Sequence, residues 1–358
     1  MSRPTQMTID LSALSHNLKR VHELAPGCAV IAMVKANAYG HGISQVSKVL
    51  SEANALGVAS LEEGIKLREA GITKPIVLIE GLFYPDEMEE AEKYRFTLVV
   101  HHLPHVEMLE KAKCKEPFSV WLKINTGMHR LGIDPSQIDV FHQRLSAATS
   151  VKKPIGLMTH FACADEKESL TTKNQINLFK KITQHLSGPR SLSNSAGILA
   201  WKEAHGDWIR PGLMLYGASP FLNQTGIDHQ LQPVMTFWSR IIAIVPVKKG
   251  GRIGYGGTFT APQDRLIGVV GVGYGDGYPQ FAQNGTPTLV NGVECPLVGR
   301  VSMDMLTVDL THDAHAKIGD PVILWGKGLP VERIATHCQT SAYEILTRMT
   351  PRPKVQVV

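Results

Sequence analysis

Eight short apolar segments recur between residues 28 and 217, and stretches typical of amphipathic helices separate them. The intervening stretches include EEGIKLREAG and PDEMEEAEKY, which carry charges on one face and apolar residues at helical spacing. Strands that alternate with helices predict a parallel sheet, and eight of them predict closure into a (β/α)₈ TIM-like barrel. An open doubly wound sheet is the alternative fold that this pattern leaves. The segments are AVIAMV, ALGVAS, PIVLIE, FTLVV, FSVWLKI, IGLMTHF, RSLSNSA and IRPGLMLYG.

The pattern changes near LQPVMTFWSRIIAIVPV, after which strand-like segments follow one another with glycine-rich turns. This succession predicts a mostly antiparallel β domain, interrupted by one helix pair around VERIATHC and SAYEILTRM. A chain of 358 residues also exceeds what one hydrophobic core usually serves. We therefore expect a barrel domain over 1–232 and a β-rich domain over 233–358, allowing the first ten or so residues to pack on the second domain.

Composition and the termini exclude several classes of protein. The 37 basic and 32 acidic residues are interspersed, so the net charge of +5 gives no argument for nucleic-acid binding. The five cysteines are widely spaced without a C-x-x-C pair, which favours free thiols in a reducing compartment. The N-terminus has no apolar signal region, and no segment is long enough to cross a bilayer. A cytoplasmic enzyme is the expectation.

Two motifs resemble binding sites but are better explained otherwise. GVGYGDGY breaks the dinucleotide pattern G-x-G-x-x-G at Asp276, and it lies in the β-rich half, where no crossover helix follows. HHLPH, from His101 to His105, suggests a metal site. Because Pro104 forces a turn, a loop at a strand end is the favoured interpretation, and we expect no metal.

Polar residues follow the predicted barrel strands at the ends where such barrels carry their catalytic groups. Any one of them, taken alone, is an ordinary surface or loop residue. Their joint occurrence at one mouth favours a functional site. They are Lys35 and Tyr39 after the first strand, Lys123, Asn125 and Arg130 at the fifth, His160 at the sixth, Ser195 at the seventh, and Arg210 and Gly212 at the eighth.

A lysine in such a mouth can act as a nucleophile toward an aldehyde when burial and neighbouring cations lower its pKa. Pyridoxal phosphate is such an aldehyde, and the other polar groups at the mouth match its phosphate and its pyridine nitrogen. The turns after the seventh and eighth strands can direct backbone N–H groups at a phosphate. An arginine or a carboxylate is needed opposite the pyridine nitrogen, and Arg210 is available.

Eight ordered motifs together resemble the bacterial alanine racemases, which are fold-type III pyridoxal-phosphate enzymes. The resemblance covers nearly the whole chain and both predicted domains, although the first motif is shared with broad-specificity amino-acid racemases. The motifs are AMVKANAYGHG, KINTGMHRLG, MTHFA, NSAG, RPGLMLYG, GYGGTF, GVGYGDGYPQ and GRVSMDM.

The resemblance implies a role for each matching residue. Lys35 would bind the cofactor and act as one catalytic base, and Tyr255, from the partner subunit of a head-to-tail homodimer, would be the other. Arg130 and the backbone N–H of Met303 would hold the substrate carboxylate. Cofactor-binding positions are Lys35, Tyr39, His160, Ser195, Arg210, Gly212, Leu213 and Tyr343. Supporting residues or residues of the access channel are Lys123, which is carbamylated in many members, Asp165, Tyr274, Arg300 and Asp304.

The identity of Arg210 indicates the type of reaction. An arginine is in practice never a proton acceptor, so it leaves the pyridine nitrogen neutral and the electron sink weak, which favours racemisation. The implied activity is interconversion of L- and D-alanine, either to supply D-alanine for peptidoglycan or to serve alanine catabolism. A broad-specificity racemase, a decarboxylase of the same fold and a non-catalytic pyridoxal-phosphate carrier are the alternatives.

Overall fold

The computed structural model describes residues 3–311 and 315–358. Its first strand, β1 (Gln6–Ile9), belongs to the C-terminal sheet, and the next eight strands form a closed barrel. All neighbouring barrel strands are parallel, and the last pairs with the first through Trp208 and Ala29. The predicted (β/α)₈ barrel is therefore confirmed. Its strands are β2 (Ala29–Met33), β3 (Ala55–Val58), β4 (Ile76–Leu78), β5 (Phe96–Val100), β6 (Phe118–Lys123), β7 (Val151–Met158), β8 (Arg190–Ser191) and β9 (Trp208–Ile209).

The last two barrel strands are shorter than the apolar segments that predicted them. Only two residues of RSLSNSA pair in β8, because Asn194 caps a helix that begins at Ser195. Strand β9 ends at Ile209, since Pro211 has no N–H for a ladder and the chain then forms a 3₁₀ turn at Leu213–Tyr216. The mouth is therefore built largely from turns at these two positions.

Helices connect successive barrel strands, and in five of the eleven described helices an N-cap side chain accepts a hydrogen bond from a free backbone N–H. Asp10 accepts hydrogen bonds from two backbone N–H groups of the first helix, and Ser60 caps the fourth. No helix in the described residues is both long and apolar enough to cross a membrane. The helices are α1 (Leu11–Leu24), α2 (Lys35–Tyr39), α3 (Ile43–Val49), α4 (Leu61–Glu69), α5 (Glu87–Lys93), α6 (Leu103–Lys111), α7 (Ile138–Ala147), α8 (Leu170–Thr183), α9 (Ser195–Ala200), α10 (Val331–His337) and α11 (Ala342–Thr347).

The C-terminal strands form a second, mostly antiparallel sheet, as predicted. Its order is β15-β14-β17-β10-β1-β18, with β13 between β10 and β16, and β11 and β12 form a separate hairpin. Strand β1 pairs with β10 and with β18, so the N-terminus is part of this sheet. The strands are β10 (Met235–Val247), β11 (Arg252–Ile253), β12 (Phe259–Thr260), β13 (Arg265–Val270), β14 (Pro287–Val290), β15 (Val293–Pro296), β16 (Leu306–Asp309), β17 (Pro321–Trp325) and β18 (Lys354–Val357).

Candidate active site

A cavity of about 610 Å³ opens at the carboxyl ends of the barrel strands. This is the face at which barrels of this kind carry their active sites. Glu80 and Asn194 also line it. The structure thus brings together nine of the residues predicted from the sequence, namely Lys35, Tyr39, Lys123, Arg130, His160, Ser195, Arg210, Gly212 and Tyr343.

Helix α2, which begins at Lys35, is a left-handed turn. Four consecutive residues, Ala36 to Tyr39, have φ between 52° and 54°. Such a conformation costs roughly 1–2 kcal/mol for each residue with a Cβ, so surrounding contacts must hold it. The Glu63 carboxylate accepts hydrogen bonds from the backbone N–H groups of Ala36 (2.6 Å) and Ala59 (2.9 Å). The turn places both Lys35 and Tyr39 in the cavity wall.

The hydroxyl groups of Tyr39 and Ser195 lie beside Gly212 on one side of the cavity, and Tyr343 lines the cavity next to Tyr39. A Cβ at this glycine would stand 2.4 Å from Tyr39 Oη, so only glycine leaves room for that hydroxyl. Ser195 Oγ accepts hydrogen bonds from the backbone N–H groups of Gly212 (2.9 Å) and Met214 (3.3 Å), which leaves its own hydrogen available. The ring of Tyr343 lies 6.1 Å from that of Tyr39. This region presents hydroxyl donors suited to an oxyanion.

Arg210 and His160 lie side by side, and the arginine is buried. The guanidinium donates to Ser191 Oγ (2.6 Å) and to the carbonyl oxygens of Thr159 (2.5 Å) and Leu192 (3.1 Å). Burial lowers the pKa of Arg210 to about 10, so the group stays protonated at neutral pH. Burial, together with the Arg210 charge, holds the pKa of His160 well below its usual value. The pair is therefore a fixed cation beside a neutral imidazole.

The cavity is electropositive. Burial first, and then the charges of Arg210 and Arg130, lower the pKa of Lys123 to about 8. With Lys35, these groups place four basic side chains along the wall, and Glu80 is the one acidic residue among the described residues that line it. A cavity of this charge attracts anions such as a phosphate or a carboxylate.

The remaining predicted residues of the C-terminal domain form a second cluster that lies outside this cavity. Tyr255 is 70% exposed and Met303 is 52% exposed. The backbone N–H groups of Tyr274 and Gly275 donate to the carbonyl oxygens of Ser302 and Met303, which joins two of the loops. Within one chain, none of Tyr255, Tyr274, Arg300 or Met303 is among the described residues that line the cavity with Lys35.

Three further predicted positions lie near these clusters without lining the cavity. Leu213 is buried in the 3₁₀ turn that follows Gly212. Asp165 is close enough to Tyr343 for its charge to add to the effect of burial in raising the pKa of that phenol. The Asp304 carboxylate forms ion pairs with Arg352 (2.6 Å) and Arg3 (3.7 Å).

Comparison with known proteins gives one family for the whole chain. Residues 9–220 match the N-terminal domain of alanine racemase, and residues 234–357 match its C-terminal domain. An alanine racemase of Vibrio parahaemolyticus is 50% identical over 348 residues, covering 97% of each chain. The crystal structure of the biosynthetic alanine racemase of Pseudomonas aeruginosa superposes with a TM-score of 0.97 at 41% identity, covering 99% of both chains. An alanine racemase of Bartonella henselae, solved with covalently bound pyridoxal phosphate, gives 0.89 at 26% identity over 99% of both chains. The chain belongs to the alanine racemase family.

Proposed function

We propose that this chain interconverts L- and D-alanine with pyridoxal phosphate as cofactor and with Lys35 and Tyr255 as the two proton-transfer groups. The observation that carries the proposal is the cavity that joins Lys35 to Arg210 and to the hydroxyl groups around Gly212. Lysine, arginine and oxyanion donors are the three features that such a cofactor needs from a protein. The full-length similarity to alanine racemases supplies the substrate.

The residues of the cavity fit pyridoxal phosphate. Tyr39, Ser195 and Tyr343 would hold its phosphate, because the Tyr39 and Ser195 hydroxyls lie beside Gly212 and the Tyr343 ring lies next to that of Tyr39. Arg210 would face the pyridine nitrogen. Its guanidinium is held by three other acceptors and cannot accept a proton from that nitrogen, so it would leave the nitrogen neutral. The relative from Bartonella henselae, which holds this cofactor covalently, supports the assignment.

Racemisation requires a proton-transfer group on each face of the substrate Cα. When bound, pyridoxal phosphate withdraws electrons from the Cα–H bond and so makes the proton acidic. Lys35 Nζ would then take the Cα proton of D-alanine or return it on the same face. The Tyr255 hydroxyl would do the same on the opposite face for L-alanine. Because the two groups exchange roles with direction, both isomers are substrates.

Tyr255 would come from a second copy of the chain, since within one chain it lies outside the cavity. We therefore propose a head-to-tail homodimer in which the C-terminal cluster of one copy covers the cavity of the other. Arg130 would stabilise the Tyr255 phenolate and bind the substrate carboxylate. The backbone N–H of Met303 makes no hydrogen bond within residues 3–311 and 315–358, so it is free to donate to that carboxylate.

We propose that residues 1–232 and 233–358 act as two domains, and that the enzyme works in the cytoplasm. The free cysteines of the described chain support a reducing compartment. A biosynthetic role, with D-alanine supplied for peptidoglycan, is supported by the relative from Pseudomonas aeruginosa. The broad-specificity racemase and the decarboxylase act on other amino acids, so tests with different substrates distinguish these activities from alanine racemisation.

The proposed function predicts that purified protein in deuterated water converts L-alanine into D-alanine deuterated at Cα. The deuteron comes from solvent because the two proton-transfer groups act from opposite faces. Chiral chromatography with mass detection measures the product. Lysine and arginine, tested at the same concentration, should turn over much more slowly. Comparable turnover of these basic amino acids would instead support a broad-specificity racemase, and release of carbon dioxide would support a decarboxylase.

Carbamylation of Lys123 is a separate prediction. Only a neutral amine adds carbon dioxide, and the pKa of about 8 gives Lys123 a sizeable neutral fraction at slightly alkaline pH. The resulting carbamate would be anionic and would lie beside the Arg130 and Arg210 charges. Protein incubated with isotopically labelled bicarbonate should show one carbamate signal by nuclear magnetic resonance. The signal should disappear in Lys123→Ala and persist in Lys48→Ala, whose lysine is exposed on α3. A signal that survives in Lys123→Ala would refute the assignment.

A further inference from the structure

Three histidines lie together just beyond the end of β5, outside the proposed active site. One ring nitrogen from each of His101, His102 and His105 lies within 4.8 Å of those of the other two. His105 is buried and His102 is exposed, so the cluster extends from the interior to solvent. The sequence favoured a simple loop here because Pro104 forces a turn. In the structure, the turn starts α6 and folds His105 back toward the other two rings.

Backbone carbonyl groups fix which nitrogens of two of these rings carry hydrogen. His101 Nε2 lies 2.9 Å from the Glu80 carbonyl oxygen, and His105 Nε2 lies 2.8 Å from that of Leu82. A carbonyl oxygen only accepts, so each Nε2 must donate, and in a neutral ring Nδ1 then carries a lone pair. A backbone carbonyl that orients the other ring nitrogen is the usual arrangement behind a histidine that ligates a metal.

One of these lone pairs has no partner. Nδ1 of His105 is buried and has no hydrogen-bond partner. Leaving a buried acceptor unsatisfied costs about 1–3 kcal/mol, so such an atom calls for an explanation. A ligand that accepts electron density from Nδ1 would supply one.

Burial also lowers the pKa values of two of these rings, those of His101 and His105. Burial lowers the pKa of His105 to about 4, and the charges of His101 and His102 act in the same direction. Burial lowers the pKa of His101 as well, with His102 and Lys123 adding to the effect.

The ring of His105 packs closely against the backbone at Gly81, which fixes its position. Gly81 has φ of +77°, and a Cβ there would stand 2.5 Å from His105 Cε1. A tetrahedral zinc ion with bonds of about 2.0–2.1 Å needs ligand nitrogens roughly 3.4 Å apart. The three nitrogens already lie within 4.8 Å of one another, and the exposed side chain of His102 can rotate toward the other two rings.

We propose that His101, His102 and His105 form a site for a divalent transition-metal ion, with Zn²⁺ as the preferred occupant. Three imidazoles suit Zn²⁺, Cu²⁺ and Ni²⁺ and do not suit Mg²⁺ or Ca²⁺, which prefer oxygen ligands. Water completes the coordination at the exposed side. The site shares the backbone of Glu80 with the active-site cavity but uses none of its catalytic side chains.

Equilibrium dialysis of the full-length, tag-free enzyme against Zn²⁺ tests this site, after removal of adventitious metal with a chelator. We expect one tightly held equivalent per chain and a rise in thermal stability with Zn²⁺, since binding to the folded state stabilises it. His102→Ala should weaken this binding by about 100-fold, because loss of even an outer-shell partner costs 10–100-fold. His185→Ala, which removes an exposed histidine paired with Asp139, is the matched control and should bind as the unmodified chain does.

Substitution with Co²⁺ gives a second readout that does not depend on activity. A visible absorption band typical of tetrahedral nitrogen ligation should appear in the unmodified enzyme and in His185→Ala, and it should be absent in His102→Ala. His105→Gln serves as a further variant that removes the buried ligand. Equal Zn²⁺ affinity in the unmodified enzyme and in His102→Ala, or no saturable binding at all, would overturn the proposal.

Discussion

Replacement of Lys35 by alanine is expected to lower alanine racemisation by at least about 10⁴-fold. The variant removes the amine that would attach the cofactor and also the base that would act on one face of the substrate. General-base catalysis alone contributes about 10²–10⁴-fold, and loss of a covalent anchor adds to this. The fold should survive, since Lys35 lines an open cavity and is only partly buried.

Two measurements separate the roles of Lys35. Racemisation is followed with L-alanine, and covalent attachment is followed by borohydride reduction and peptide mass analysis. The peptide that contains residue 35 should carry the cofactor in the unmodified enzyme and in Lys48→Ala, and it should be free of it in Lys35→Ala. The assignment of Lys35 is wrong if the variant retains more than about a hundredth of the activity, or if another lysine carries the cofactor.

The barrel and the order of its site residues were predictable because both depend on short-range patterns. Apolar segments alternating with amphipathic ones specify parallel strands, and the carboxyl ends of those strands meet at one mouth. This reasoning correctly brought together Lys35, His160 and Arg210, which lie far apart in the chain. The lengths of β8 and β9 were not predictable in the same way, because hydrophobicity does not reveal that Asn194 and Pro211 end the pairing.

The left-handed turn after β2 was not predictable from the sequence. Alanine and tyrosine disfavour positive φ, and asparagine adopts it mainly as a single residue, so local preference argues against four such residues in a row. Its main support comes from Glu63, 27 residues further along the chain. Ser60 and Glu63 match a helix capping box, a signal that explains the start of α4 but not the hydrogen bond to Ala36. Only the folded structure shows that this carboxylate holds the lysine turn.

The second cluster shows a different limit of sequence reasoning. Resemblance placed Tyr255, Arg300 and Met303 at the active site, and the single chain leaves them exposed outside it. The cavity of one chain is therefore lined by barrel residues together with Tyr343 of the second domain, and the cluster around Tyr255 lies apart from it.

Replacement of Tyr255 by phenylalanine is expected to lower racemisation by about 10²–10⁴-fold in both directions. The two enantiomers have equal free energies, so catalysis cannot slow one direction of racemisation more than the other at equilibrium. Exchange of the Cα proton with solvent is not subject to this constraint, so its rate can differ between the two isomers. With Lys35 intact, D-alanine should still exchange its Cα proton with deuterated water and keep its configuration, whereas L-alanine should not exchange.

Exchange without racemisation is measured by mass spectrometry of each isomer after chiral separation. Tyr274→Phe is the control. It removes a phenol from the same cluster, but Tyr274 is not proposed to act as a base, so this variant should keep exchange into both isomers. Equal loss of exchange from L- and D-alanine in Tyr255→Phe would contradict the assignment of the two faces.

The same variants decide whether one chain or two complete the site. When Lys35→Ala and Tyr255→Phe chains assemble at random, half of the dimers are mixed. If Tyr255 serves the partner's cavity, each mixed dimer has one intact site, so activity should recover to about a quarter of that of the unmodified enzyme. If both groups act within one chain, every site lacks one of them, and mixing restores nothing. Recovery therefore requires the phenol to reach across the interface, which is what its exposed position outside its own cavity leads us to expect.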